Sequence, residues 1–121
     1  MIILLGLGNP GEKYAQNRHN VGFMFLDWML NEMTTSYKLQ ATSYQLPATS
    51  FSYDKYSDAD LAKIDLPATR YNLQAILARP RTFMNKSGFT ANTLTTSYQL
   101  PATSLIVIHD DLDIRLGEFK I

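Results

Sequence analysis

Gly6-Leu-Gly-Asn-Pro-Gly-Glu-Lys-Tyr-Ala-Gln-Asn-Arg-His-Asn-Val-Gly22 joins an apolar run of strand length to the start of a helix, and its reading decides the fold. Met1 to Leu5 is apolar, three glycines and a proline punctuate Gly6 to Gly11, and a helical pattern opens near Asn20. Val21, Met24, Phe25, Trp28 and Met29 recur at the i, i+3, i+4, i+7, i+8 spacing of one helical face. Phe23, Leu26 and Leu30 widen that face, so the spacing predicts a deeply buried helix over residues 20–33. Strand, polar junction and helix in that order fit an α/β protein, whose sites lie beyond the carboxyl ends of strands. Asn9, Tyr14 and His19 occupy this junction.

Working outward, further strands are expected at about 73–79 and 105–109, and a second helix at about 87–95. Two polar stretches follow these strands: Arg79-Pro-Arg-Thr-Phe-Met-Asn-Lys-Ser-Gly88 and Val107-Ile-His-Asp-Asp-Leu-Asp113. If the strands run parallel, Asn9, Asn85 and Asp110 converge at one end of the sheet, with His19 facing them. A neutral imidazole is the form a general base takes, which makes His19 the candidate to accept a proton from water. Asp110 would accept a hydrogen bond from the other ring nitrogen, fixing the tautomer and stabilising the imidazolium that forms. Asn9 would offer its amide N–H to a carbonyl oxygen as charge develops, or hold a substrate amide. Plainer readings exist for each: a helix-capping histidine, an Asn-Pro turn, a turn carboxylate. Asp111 and Asp113 are assigned that last role. Ser87 precedes Gly88 but lacks the Gly-x-Ser-x-Gly elbow of a nucleophile.

Taken in order, the three stretches resemble the three signatures of the bacterial peptidyl-tRNA hydrolases. The resemblance covers residues 1–33, 76–94 and 105–121, corresponding to about the first half of the family's domain. It implies a three-layer αβα fold with a mixed, mostly parallel sheet between helices. It also implies hydrolysis of the ester joining a peptide, or an N-blocked amino acid, to the tRNA 3′ ribose. His19, Asp110 and Asn9 would then be catalytic, while Tyr14, Phe83 and Asn85 would contact the tRNA acceptor end. An aromatic face can stack on an unpaired base, and an Asn amide can bond to sugar or base edges. The implied partner is peptidyl-tRNA, with no cofactor and no metal, for a monomer acting in the cytoplasm in translation and ribosome rescue.

The family pattern continues beyond Leu116-Gly-Glu-Phe-Lys-Ile121 with a Gly-rich loop bearing another substrate-binding Asn, further basic residues and closing helices. The expectation is therefore a single partial domain over residues 1–121, lacking one wall of the cleft. A non-catalytic RNA-binding relative, or an inactive fragment, is the alternative. Retention of His19 with Asp110 favours the enzyme, because binding alone requires neither a base nor its orienter. A dinucleotide-binding half-domain fits less well, since Gly6, Gly8 and Gly11 do not form Gly-x-Gly-x-x-Gly leading straight into a helix.

Composition limits the alternatives. A length of 121 residues allows one domain at most. Lys plus Arg and Asp plus Glu are 11 each, so the chain lacks the basic surplus usual in a tRNA binder. Arg18, Arg79, Arg81 and Lys86 would supply a small basic rim. The absence of cysteine excludes disulfides and thiolate metal sites and fits a cytosolic setting. His109, Asp110, Asp111 and Asp113 lack His-Glu-x-x-His spacing, so no metal is expected and His109 is read as a strand-end structural residue. The apolar N-terminal run is too short for a signal peptide or a membrane span.

A repeated unit interrupts the middle. Thr35-Ser-Tyr-Lys-Leu-Gln-Ala41 is followed by Thr42-Ser-Tyr-Gln-Leu-Pro-Ala48, a degraded copy spans Ala68-Thr-Arg-Tyr-Asn-Leu-Gln-Ala75, and Thr96-Ser-Tyr-Gln-Leu-Pro-Ala-Thr-Ser104 returns nearly verbatim. The unit is foreign to the family pattern and is read as a translated DNA element inserted at about 35–50, 66–75 and 95–104. A tyrosine-bearing RNA-contact loop is the functional alternative. Tyr53 to Lys63 is expected as a surface connection, and Pro101 is expected to end or distort the second helix.

Overall fold

The computed structural model describes residues 1–14, 17–39, 50–67, 72–111, 113–115 and 117–121. Strand β1 (Ile2–Gly6) leads through 3-10 turns at Glu12–Tyr14 and Arg18–Asn20 into helix α1 (Val21–Leu39). Strands β2 (Ser52–Asp54), β3 (Ala59–Pro67) and β4 (Asn72–Pro80) follow, then a 3-10 turn at Met84–Lys86 and helix α2 (Ser87–Ser97). A last 3-10 turn at Ala102–Ser104 enters β5 (Leu105–Ile108). The sheet order is β2-β3-β4-β1-β5, with β1 parallel to both neighbours and β3 antiparallel to both of its own.

Alternation along the strands divides the core between the two faces. Leu4, Ala62, Ile64, Ala75 and Leu77 pack with Leu26 and Leu30 of α1. Ile3, Leu5, Ile76 and Ala78 pack with Leu94 of α2. One helix therefore covers each face of a mixed sheet whose β4-β1-β5 side is parallel, in agreement with the layered α/β fold expected.

The residues from Tyr53 to Lys63 are not a surface connection. They form the β2–β3 hairpin, with Tyr53 opposite Asp60. Its turn is tied inward: the Asp54 carboxylate accepts from the Ser57 N–H and hydroxyl, and the buried Ser57 carbonyl accepts from Thr90 Oγ1 of α2 at 2.7 Å. Alternating apolar residues Ala62 and Ile64 make β3 a half-buried strand, despite the intervening Lys63.

Helix α1 also differs from the expected stripe. Gly22, Leu26 and Leu30 face the sheet, with Met29 and Met33 packed against them, whereas Val21, Met24, Phe25 and Trp28 are exposed, Trp28 to 57%. The start of the helix lies so close to the end of β1 that only a glycine fits beneath it. This rotates the bulky residues outward. Asp27, on the flank of α1, bonds to Arg79 of β4.

Pro101 lies beyond α2 and does not distort it. The helix closes at Ser97 through a Schellman arrangement in which Gln99 N–H donates to the Thr96 carbonyl at 3.1 Å and Leu100 N–H to the Thr95 carbonyl at 2.8 Å. Tyr98 and Leu100 then pack against the α2-side core. Of the other copies, residues 35–39 continue α1 and 72–75 belong to β4, while 40–49 and 68–71 lie outside the described residues.

Candidate active site

The loops that leave β1, β4 and β5 emerge at the same end of the sheet because these three strands are parallel. Gly6 pairs with Ile108, and Leu7 N–H donates to the Ile108 carbonyl at 2.9 Å, so pairing continues past β1. On top of this junction sits the first turn of α1. A Cβ on Gly22 would overlap the Ile108 carbonyl and come within 2.8 Å of Leu7, which explains the glycine at a position where a helix would favour almost any other residue.

That approach brings His19 to Asp110 across 91 positions of sequence, with Nδ1 and Oδ2 2.8 Å apart. The Asp110 side chain is 14% exposed and that of His19 51%. An ionised carboxylate can only accept, so Nδ1 carries a proton, and in the neutral ring that leaves the lone pair on Nε2.

Asn9 is oriented with the same logic. Its Oδ1 accepts from the Met84 backbone N–H at 2.9 Å, which leaves Nδ2 with two hydrogens to donate. Its backbone is gripped by Asn20, whose Oδ1 accepts from the Asn9 N–H at 2.8 Å and whose Nδ2 donates to the Asn9 carbonyl at 2.9 Å. Gly8 makes room, since a Cβ there would meet Asn20 Oδ1 at 2.9 Å and the Phe23 ring at 3.0 Å. Asn20 was absent from the expected site. At a helix start it reads as an ordinary cap, and only the approach of the first loop reveals its partner.

The Met84 bond also holds the Phe83–Asn85 segment beside Asn9. Phe83 is extended and 57% exposed, its carbonyl accepting from Lys86 N–H, and Asn85 is exposed in the 3-10 turn. Tyr14 belongs to the turn Glu12–Tyr14 between Asn9 and His19, and its side chain lies outside the described part. The basic rim is not formed as expected. Arg79 donates to Asp27 at 2.6 Å and lies 4.0 Å from the Phe51 ring, while Arg81 donates to Asp60 at 2.9 Å and lies 4.3 Å from the Tyr53 ring. Both are cross-links of the fold, their charge offset by Asp27 and Asp60. The exposed Lys86 keeps the position expected of it, and the Arg18 side chain is outside the described part.

His109 Nδ1 donates to the neighbouring Asp110 carbonyl at 2.6 Å, and Asp111 Oδ1 accepts from the Asp113 N–H at 2.9 Å in a local turn. Among the described residues no group of three His, Cys, Asp or Glu is placed to hold a metal ion.

The family model for peptidyl-tRNA hydrolase matches residues 3–121. The chain belongs to that family. Similar solved structures include peptidyl-tRNA hydrolase from Acinetobacter baumannii, an arginine-to-glutamine mutant of that enzyme, and a peptidyl-tRNA hydrolase complexed with N-propanol. Each is 26% identical with a TM-score of 0.74, over 97% of this chain and 50% of the solved one. The chain thus spans about half the length of these relatives. In this member of the peptidyl-tRNA hydrolase family, His19, Asp110 and Asn9 are held together at one end of the sheet. No helix among the described residues is long and apolar enough to cross a membrane.

Proposed function

We propose that the chain carries the catalytic centre of a peptidyl-tRNA hydrolase, cleaving the ester between a peptide or N-blocked amino acid and the tRNA 3′ ribose. The observation that supports it is the His19–Asp110 pair at 2.8 Å beside the fixed amide of Asn9. His19 Nε2 accepts a proton from water as the oxygen attacks the ester carbonyl carbon, and Asp110 stabilises the imidazolium through Nδ1. Asn9 Nδ2 donates to the carbonyl oxygen as it becomes an oxyanion. The ester C–O bond then breaks, the ribose 3′ oxygen takes the proton from His19, and a free peptide acid and a tRNA 3′ hydroxyl remain.

Tyr14, Phe83 and Asn85 serve the acceptor end, with Phe83 stacking on the terminal base and Asn85 bonding at its edge. With Arg79 and Arg81 engaged in the fold, stacking carries more of the grip than charge does. The setting is cytoplasmic translation, where released peptidyl-tRNA is the substrate.

Single-turnover hydrolysis of N-acetyl-aminoacyl-tRNA tests the proposal. His19→Ala is expected to slow the reaction by about 10²–10⁴ with tRNA affinity unchanged, and Asp110→Asn by less. Equal rates in His19→Ala and parent would overturn the assignment.

A further inference from the structure

One polar side chain at the site has no step in hydrolysis yet is almost wholly withdrawn from water: Asn20, 2% exposed. Burying an amide is unfavourable by about 1–3 kcal/mol unless it is hydrogen-bonded, so the direction of its bonds shows what it serves. A helix cap would direct its oxygen to N–H groups of its own first turn. Asn20 does otherwise. Both bonds leave the helix and close on the N–H and the carbonyl of a single residue, Asn9. The donor-only N–H and acceptor-only carbonyl of Asn9 also leave the amide one orientation.

We propose that Asn20 is the positioning residue that fixes Asn9 relative to His19. This rests on the function proposed above. Two bonds define the place and tilt of the Asn9 backbone, and the bond from Met84 N–H to Oδ1 defines the remaining side-chain rotation. With all three made, the Nδ2 hydrogens have one direction. Asn20 follows His19 in the chain, so base and amide donor are linked through adjacent residues about 3.8 Å apart at Cα. Without that link their separation would depend on the loop from Pro10 to Arg18. A donor that must meet an oxyanion within a few tenths of an ångström cannot be left to such a loop, because a displacement near 1 Å costs about a hundredfold in rate.

Two measurements on the 121-residue chain test this. In amide hydrogen exchange, Asn20→Ala is expected to speed exchange of the Asn9 N–H at least tenfold, with Ile76 and Leu77 in the core unchanged. Unchanged protection of Asn9, or equal loss throughout the core, would overturn the inference. In single-turnover hydrolysis of N-acetyl-aminoacyl-tRNA, Asn20→Ala is expected to lower the rate 10- to 100-fold without weakening tRNA binding. Asn9→Ala should lower it too, and the double variant little further, because Asn20 acts through Asn9. Additive losses would overturn it. If the parent hydrolyses nothing, the proposed function fails while the exchange experiment still decides the role of Asn20.

Discussion

Gln99 holds a backbone conformation that only glycine adopts without strain, φ 53°, at the residue closing α2. An L-residue there has its Cβ crowded against the following carbonyl, at a cost of roughly 1–2 kcal/mol. Gln99→Gly removes this crowding and keeps both closing bonds, from the N–H groups of residues 99 and 100 to Thr96 and Thr95. Because the side chain is exposed, little packing is lost. Against the gain stands the larger backbone entropy of glycine in the unfolded chain, roughly 0.5–1 kcal/mol. The net expectation is about 0.5–1 kcal/mol of added stability, which for a chain of this size raises Tm by about 2–5 °C. Urea titration should move the midpoint upward with the slope unchanged, and Gln99→Ala, which retains a Cβ, should not reproduce the shift. A glycine variant no more stable than the parent, or an alanine variant equal to it, would refute the strain argument. The same pair of variants bears on the repeat, since Thr96 to Pro101 here supplies a helix closure and two core contacts.

The remaining predictions concern the hairpin and the acceptor-end face. Phe83→Ala should weaken binding of a short CCA-ended RNA by about 1–3 kcal/mol while leaving the thermal melt in place, because the ring is exposed; a variant that unfolds with unchanged RNA affinity would assign Phe83 to the core instead. Hydrogen bonding from the Ser57 hydroxyl, opposed by desolvation and aided by backbone N–H groups, holds the Asp54 carboxyl below its ordinary value of 3.8. The folded state thus favours the carboxylate. Its contribution is fully present above pH about 4 and is lost as pH falls through the lowered folded value, so the stability gap between parent and Asp54→Asn should narrow below that pH in urea titrations. A gap independent of pH would remove Asp54 from the account. Leu26→Ala, which empties a fully buried position between α1 and the sheet, should cost about 2–5 kcal/mol in the same titration, and a loss below 1 would contradict the packing described.

What could be read from the residues follows from how locally each feature is determined. β1, β5 and the Ala75–Ala78 centre of β4 are short apolar runs, and the helices lie between them in sequence, so the α/β layering was legible. β3 was not, because Asp60, Lys63 and Asp65 break its apolar pattern, and its charges find partners or solvent only once it pairs with β4. In α1 nearly every position from Val21 to Leu30 is apolar, so several stripes fit the spacing equally well. Gly22 chooses among them, and its reason is a tertiary contact with Leu7 and Ile108. Arg79 and Arg81 looked like a binding rim because a sequence does not show that Asp27 and Asp60 lie opposite them.

The His19–Asp110 contact depends on the same distant pairing. Asp110 reaches His19 because β5 lies beside β1 with Ile108 opposite Gly6, and because α1 begins directly above that pair on Gly22. A slip of β5 by one residue would carry Asp110 about 3.3 Å along the strand and turn successive side chains to the opposite face. No contact at 2.8 Å would survive it. The slip is opposed by the core itself, since it would also exchange Leu105, which packs on the α2 side, with Ile108, which packs on the α1 side. The packing of partly buried Leu105 and Ile108 on opposite sides of an edge strand thus sets the position of a carboxylate two residues beyond it, and these two residues serve the proposed chemistry by fixing register rather than by touching the substrate.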